Sequence, residues 1–400
     1  MQNFIRTTAG LVAILLLAVT CDALVLDVPG WLPGNAHTHS DYSDGESTVA
    51  QMANSAKALG FEWLYMTDHS EFLNTAEWDT YLTDCQNASS GILVLAGVEF
   101  NTDYSVKPRH HYVGYGLANY RRTVESTGQD LINLVASLGG FGYIAHPTDA
   151  STPWDDLSDT GYTGLEVWNE TLSSEAVWSG LLQQGRRIYG TAVSDAHRPE
   201  KLTSTFMYLK ADPTGASVTQ ALRTGKIIMS RGPFINLQVG TAEVGEVGGI
   251  PYGQTSITAT VAWVNDGQLA TVRVLRVDSD GTHTPAVINT AVTQSPVVIS
   301  VPVNTRSICL RLQGTKTNGD LIALTNPIWI PPAGDINGDG YRNISDARLC
   351  LGVLLNRAVT IDHRSYSSPY PAWLTQAADI NGNGHIDISD LMLILQESLH

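Results

Sequence analysis

Asn35-Ala36-His37-Thr38-His39-Ser40-Asp41-Tyr42-Ser43-Asp44-Gly45 is the stretch on which the fold turns. It follows a short apolar run. On an extended strand, residues two apart point to the same side, so His37 and His39 present two imidazoles to one face. Working outward, the same pattern recurs. Asp68 and His69 end the run Trp63 to Met66, Glu99 ends Ile92 to Val98, and His111 opens a further apolar run to Gly116. His146 ends Phe141 to Ala145, while Asp195 and His197 end Ile188 to Val193. In a parallel α/β barrel, the ends of the strands form the catalytic face.

Imidazole nitrogens mixed with carboxylate oxygens suit zinc, manganese or iron better than magnesium alone. His37, His39, Asp44, His69, Glu99, His111, His146, Asp195 and His197 are too many ligands for one ion, so two or three transition-metal ions are expected. Between the candidate strands, Val49 to Leu59 and Ile132 to Leu138 carry helical periodicity. The alternation predicts α/β construction with a largely parallel sheet.

After Gly232-Pro233 the texture changes. Residues 233–331 are rich in Val, Thr and Ile, with turn signals at Asn265-Asp266-Gly267 and Asp280-Gly281, which predicts a β-sandwich. Pro331-Pro332-Ala333-Gly334 reads as a linker. Beyond it, Asp335-Ile336-Asn337-Gly338-Asp339-Gly340 is repeated as Asp379-Ile380-Asn381-Gly382-Asn383-Gly384, and each copy leads into an apolar helix-like run. Asp335, Asn337, Asp339, Asn343 and Asp346 fall at offsets 1, 3, 5, 9 and 12 of a calcium loop, as do Asp379, Asn381, Asn383, Asp387 and Asp390. Two calcium ions are therefore expected in residues 332–400.

The bulk properties bound the rest. Apolar content of 43% against 16% charged residues suits packed domains, and 400 residues suit two or three of them. A formal charge of −16 argues against a nucleic-acid surface. Arg6 followed by Leu11 to Thr20 reads as an export signal over residues 1–23, with lipidation at Cys21 as the alternative. The expected location is therefore extracellular, and no later run is apolar enough to span a membrane. Cys85, Cys309 and Cys350 lie far apart and read as isolated thiols.

The ordered motifs His37 to Gly45, Thr67-Asp68-His69, Gly97-Val98-Glu99, Ala145-His146-Pro147 and Ser194-Asp195-Ala196-His197 resemble the PHP (polymerase and histidinol phosphatase) superfamily. Leu222 to Lys226, Ser230 to Pro233 and Thr325 to Ile328 are similar to the branch that includes a carbaryl hydrolase. The resemblance implies a distorted seven-stranded (β/α) barrel over residues 24–232. It implies a first ion on His37, His39, Glu99 and Asp195, a second on Asp44, His69 and His197, and a third on Glu99, His111 and His146. Asp68 would orient a ligand imidazole. The implied activity is hydrolysis by a metal-bridging hydroxide, with Glu99, Asp195 and His197 catalytic. Phosphoesters are the first expectation; carboxylic or carbamate esters, or ligand binding without turnover, are the alternatives. Arg109 and Arg198 stand beside ligand motifs as candidate phosphate grips, and His110 or His197 is a candidate proton donor to the leaving group. The terminal repeat resembles a type I dockerin, which implies a small all-α domain, a cohesin-bearing scaffold as partner, and recognition through Ser345 and Ser389.

Overall fold

A computed structural model describes residues 25–398 except 106, 123–124, 204, 252 and 362–363. The expected export signal lies outside the described residues. Local rules explain the first helix well. At Val49–Ala58, the Thr48 hydroxyl accepts from Gln51 N while the Gln51 side chain accepts from Thr48 N, a reciprocal cap. Val49, Met52, Ala53 and Ala56 then fall on one buried stripe.

The expected strands form, except that Ile92 to Val98 divides at Gly97 into Leu93–Ala96 and Val98–Asn101, which join different sheets. Leu32–Asn35, Trp63–Met66 and Leu93–Ala96 pair in parallel. Phe141–Ile144, Gly164–Asn169 and Tyr189–Val193 make a second parallel group. The expectation of a largely parallel sheet fails elsewhere. Val98–Asn101 pairs antiparallel with His111–Tyr115, because the connection at 102–110 carries no helix and is too short for a crossover. Leu32–Asn35, Phe206–Leu209 and Ile227–Ser230 are also antiparallel neighbours. Hydrogen bonding thus draws two sheets that meet through isolated bridges, Thr38 with Ala196 and His69 with Glu99. One continuous seven-stranded ladder is not formed among the described residues.

Residues 233–331 build strands in two antiparallel systems. Phe234–Val239, Ser256–Val264 and Val297–Pro302 belong to a sheet of their own. The other strands do not stand apart from the first 232 residues. Leu321–Thr325 pairs with Ile227–Ser230, so one ladder runs from Gly281–Asn289 through to Leu93–Ala96. A single apolar core accordingly extends from Val28 to Ile330, with a separate smaller one from Ile336 to Ile394.

Pro331 to Gly334 is not a free linker. All four residues are buried, Ile250 N donates to Pro331 O at 2.9 Å, and Ala333 N donates to Ile250 O at 3.2 Å. Gly334 N donates onward to Ala377 O in the tail at 2.7 Å. The tail itself is not all-α: helices Ile344–Leu354, Ala372–Ala378 and Ile388–Glu397 enclose a hairpin of Val359–Ile361 and Arg364–Tyr366. Pro369 and Pro371 beside the hairpin exclude a continuous helix between the repeats. Cys85, Cys309 and Cys350 are free and buried. Among the described residues, no helix is long and apolar enough to cross a membrane.

Candidate metal centre

The strand ends deliver the predicted side chains to one place. His37 and His39 follow Leu32–Asn35, His69 follows Trp63–Met66, His146 follows Phe141–Ile144, and Asp195 and His197 follow Tyr189–Val193. Glu99 lies within Val98–Asn101, and His111 opens its antiparallel neighbour. Three groups of possible ligands result: His39, Asp44, His69 and His197; His37, His39 and Asp195; and His69, Glu99 and His111.

Glu99 is the hub. It is almost wholly buried, and its Oε1 lies 2.7 Å from His111 Nδ1 and 3.2 Å from His146 Nε2. Oε2 lies 3.1 Å from His69 Nδ1, 3.3 Å from His37 Nε2 and 3.4 Å from His39 Nε2. Asp195 Oδ1 approaches His39 Nε2 at 3.0 Å and His37 Nε2 at 3.3 Å. At the outer edge, half-exposed Asp44 lies 3.2 Å from His197 Nε2 and 3.7 Å from His69 Nε2. His146 joins through Glu99 although no group of three includes it, and His39 and His69 are each shared between groups. These memberships differ from the family-derived assignment, in which each of the two belonged to one ion.

The chemistry of the donor set fits transition-metal ions. His37 Nε2 and His39 Nε2 face one another at 3.1 Å, while His37 Nδ1 is held by Glu166 Oε1 at 2.6 Å. His197 Nδ1 is held by Asp195 O at 2.9 Å, and His146 Nδ1 by Thr152 Oγ1 at 3.2 Å. Each outer nitrogen of these three rings is thereby engaged, which aims the inner nitrogen at the cluster, as a ligand imidazole must be aimed.

Electrostatics keep both central carboxylates charged and, with no ion bound, favour the protonated form of His146 and His197. Burial would raise the Glu99 carboxyl, but His69, His111 and His37 hold it well below the usual range. For Asp195, burial is likewise overcome by His37 and His39. Burial would lower His146, yet its hydrogen bond to Glu99 pushes it up to about 9. His197 is also pushed up to about 9 against burial, by Asp44 and Asp195.

Several neighbours do other work than expected. Asp68 bonds no imidazole directly; it accepts from Ser40 N, Ser40 Oγ and Ser43 Oγ at 2.6 to 2.8 Å, which fixes the loop that carries Asp44, and Ser43 Oγ lies 3.4 Å from His39 Nδ1. Arg109 is ion-paired with Glu71 and lies over the Tyr104 ring. Arg198 pairs with Glu46 and Glu200. His110 Nε2 is engaged by Asp155 at 2.6 Å and belongs to none of the ligand groups. Glu166, Asn101 and Asn169 escaped the sequence reading. Asn169 Nδ2 donates to both Glu166 and Asp195, which ties the support of His37 to that of the carboxylate beside it. The available signal was a lone acid inside the apolar strand Gly164–Asn169.

In the tail, the repeats adopt matching hydrogen-bond patterns. Asp335 accepts from Asp339 N and Gly340 N, and Asp379 from Asn383 N and Gly384 N. Asp346 accepts from Asn337 N and Asn343 N, and Asp390 from Asn381 N and Asp387 N. Asn343 and Asp387 cap the following helices, their side chains accepting from Ser345 N and Ser389 N. Asn337 Nδ2 donates to Asp339 Oδ2. Burial, together with Asp346 and Asp339, pushes Asp335 up to about 8, and burial pushes Asp346 up to about 6.

A histidine and carboxylate cluster at the ends of strands in an α/β body defines a metal-binding class. Residues 35–167, about a third of the chain, match the model of the PHP domain family. The DNA polymerase/3'-5' exonuclease PolX of Bacillus subtilis (strain 168) is 34% identical over 55 residues, 14% of this chain and 10% of that protein. The chain thus spans about a tenth of the length of the curated relative it matches. Among solved structures, a two-domain protein from Bacteroides vulgatus ATCC 8482, described as containing a predicted PHP-like metal-dependent phosphoesterase, aligns over 76% of this chain and 97% of its own. Its identity is 15% and its TM-score 0.45. An amidohydrolase from Chromobacterium violaceum aligns over 43% of this chain and 90% of its own, at 17% identity and a TM-score of 0.34.

Proposed function

We propose that this protein is an exported metal-dependent hydrolase, with phosphoesters as its first substrate class and a calcium-set, dockerin-like tail as its tether. The observation that carries the catalytic reading is Glu99, one buried carboxylate within 3.4 Å of ring nitrogens from five histidines. His37, His39, Asp44, His69, Glu99, His111, His146, Asp195 and His197 would hold two or three zinc, manganese or iron ions. Such ions, when bound, acidify water and neutralise charge that develops on substrate oxygens. The chain's own part is to aim the rings. Glu166, Thr152 and Asp195 O hold outer nitrogens, and Asp68 fixes the Asp44 loop. His197 is the most exposed of the six clustered imidazoles, at 35%, which makes it the ring most open to a substrate.

A second reading, hydrolysis of carboxylic or carbamate esters, is favoured by a specific observation. Arg109 and Arg198 are already paired with carboxylates, which weakens their case as phosphate grips. A cleft of about 760 Å³ that borders the centre through Ser43 is lined by Asp41, Tyr42, Phe72, Glu77 and Asp84, with no lysine or arginine. That lining suits an uncharged or cationic leaving group better than a polyanion.

For the tail, buried Asp335 packed with Asp339 and Asp346 calls for a cation, and oxygen-only donors at these offsets suit calcium. Exposed Ile344, Leu351, Leu355, Ile388 and Met392 on the two repeat helices offer an apolar face for a scaffold partner. Export rests on the sequence of the first 23 residues.

Metal analysis of the purified chain, with phosphoester and carboxylic-ester panels run on wild type and Glu99→Gln, tests the reading. Two or three transition-metal ions and a loss of turnover of about a hundredfold or more in the variant are expected. Less than one ion per chain after supplementation, or turnover within tenfold of wild type, would overturn it.

A further inference from the structure

The two calcium-loop repeats are alike in sequence and in hydrogen bonding, but the fold treats them differently. In the first, Asp335, Gly338 and Gly340 are buried; in the second, Asp379 is half-buried and Gly382, Asn383 and Gly384 are exposed. What buries the first loop is not the rest of the tail alone. A Cβ on Gly185 would stand 2.6 Å from Asp339 Cα, so the loop backbone rests directly on the turn after Glu175–Gln183. A Cβ on Gly338 would stand 2.4 Å from an Arg187 guanidinium nitrogen. The same guanidinium lies 4.6 Å from the Trp373 ring centroid in the tail. On the other flank, Ser279 Oγ donates to Gly340 O at 3.5 Å, from the turn between Thr271–Asp278 and Gly281–Asn289.

We infer that the first loop is an internal docking surface, whose partner is this chain's own catalytic body and whose calcium ion locks the two together, while the second loop's ion serves the tail alone. The inference rests on the calcium reading proposed above. The physical argument is mechanical. Asp335, Asp339 and Asp346 crowd one small loop, and calcium would draw their oxygens together. Without it the loop is held only by its backbone bonds and the Arg187 guanidinium beside it, and is free to loosen. A loop in open water can loosen without disturbing anything else. This one is wedged between Gly185, Arg187 and Ser279, so loosening must break those contacts or push on the segment beneath. That segment leads straight into Tyr189–Val193, the strand whose far end delivers Asp195 and His197 to the metal centre. Among the described residues no backbone hydrogen bond joins 379–390 to the body before residue 331, and Gly382 and Gly384 are exposed.

The test is hydrogen exchange by mass spectrometry on the full-length chain, with its transition metals kept loaded and calcium withheld by dialysis or added at millimolar concentration. Calcium should slow exchange at 185–193 and 276–283 by about tenfold or more in wild type. The same slowing is expected in Asp379→Asn/Asp390→Asn, and should vanish in Asp335→Asn/Asp346→Asn. Should the last variant fail to fold, wild type alone decides by titration. Protection at 185–193 must rise together with that of 335–341 and independently of 379–385. Calcium bound at both loops with exchange at 185–193 unchanged, or tracking the second loop, overturns this inference and leaves the calcium reading standing. No calcium bound by calorimetry overturns both.

Discussion

Glu99 faces His111 and His146 with one oxygen and His37, His39 and His69 with the other, so its charge organises the whole cluster. Glu166 is its less visible counterpart. One of its oxygens holds His37 Nδ1, and the other accepts from His146 N and Asn169 Nδ2. Both His146 and Asp195 also sit at positive φ, 27° and 50°, a backbone strain that the surrounding bonds must hold. Glu166→Gln should therefore weaken metal affinity by about 10- to 100-fold while leaving the melting temperature of the ion-free chain within a few degrees. Competitive chelator titration with thermal melting checks it; unchanged affinity would remove Glu166 from the support of the centre. At this scale the sequence was readable where ligands cluster in short motifs, as in His37-Thr38-His39. It was silent where a ligand is held from across the molecule: Glu166 lies 129 residues from His37. Asp68 misled because its sequence neighbour is His69, whereas its carboxylate reaches the 40–43 loop.

Among the elements, the two Asp-Ile-Asn-Gly repeats show how a local pattern fixes local structure. Offsets 1, 5, 6 and 12 are bonded the same way in both repeats because those bonds span only a few residues. Their surroundings then separate them. In the calcium-free chain, Asp335 is pushed up to about 8 by burial and by Asp346 and Asp339, above an unfolded value of about 3.9. A raised carboxyl favours the folded state while protonated. Its contribution is fully present below about pH 4 and is lost as pH rises to about 8. Calcium competes for the deprotonated form, so the trend should reverse when the ion is present. Tail melting followed by tryptophan fluorescence across pH 4.5 to about 8, with and without calcium, measures this. Greater stability at pH 8 than at pH 5 without calcium would contradict it. Strand and helix positions were largely legible from periodicity and from caps such as Thr48. Strand direction was not, since the pairing of 98–101 with 111–115 depends on what the intervening loop lacks.

Across the whole molecule, the ladder through Ile227–Ser230 and Leu321–Thr325 makes the β-rich half part of the same sheet as the body that carries the histidine cluster. No composition shift near Gly232 could reveal that, because pairing over about 95 residues leaves no local trace. The Pro-Pro-Ala-Gly run misled for a related reason. Its residues suit a linker, and only the facing Ile250 makes it a paired strand edge. Truncation after Ile330 should thus destabilise the remainder, exposing Ile250 and Trp329 and lowering the melting temperature by about 2–4 °C or more. Scanning calorimetry of the truncated and full-length chains checks this, and identical melting of the body would restore the linker.

The buried passage at Pro331 to Gly334 also bears on how the candidate metal centre would meet its surroundings. An enzyme hung on a flexible tether samples a sphere of positions, and its mouth faces every direction in turn. Here the backbone that leaves the body is hydrogen-bonded on both sides of the crossing, to Ile250 before it and Ala377 after it. A partner that grips Ile344–Leu354 and Ile388–Glu397 would therefore hold the metal centre at one bearing and one distance. The aim of the catalyst would be set by the joint and not by diffusion, so substrates anchored on the partner's own surface would be met at a single angle or not at all.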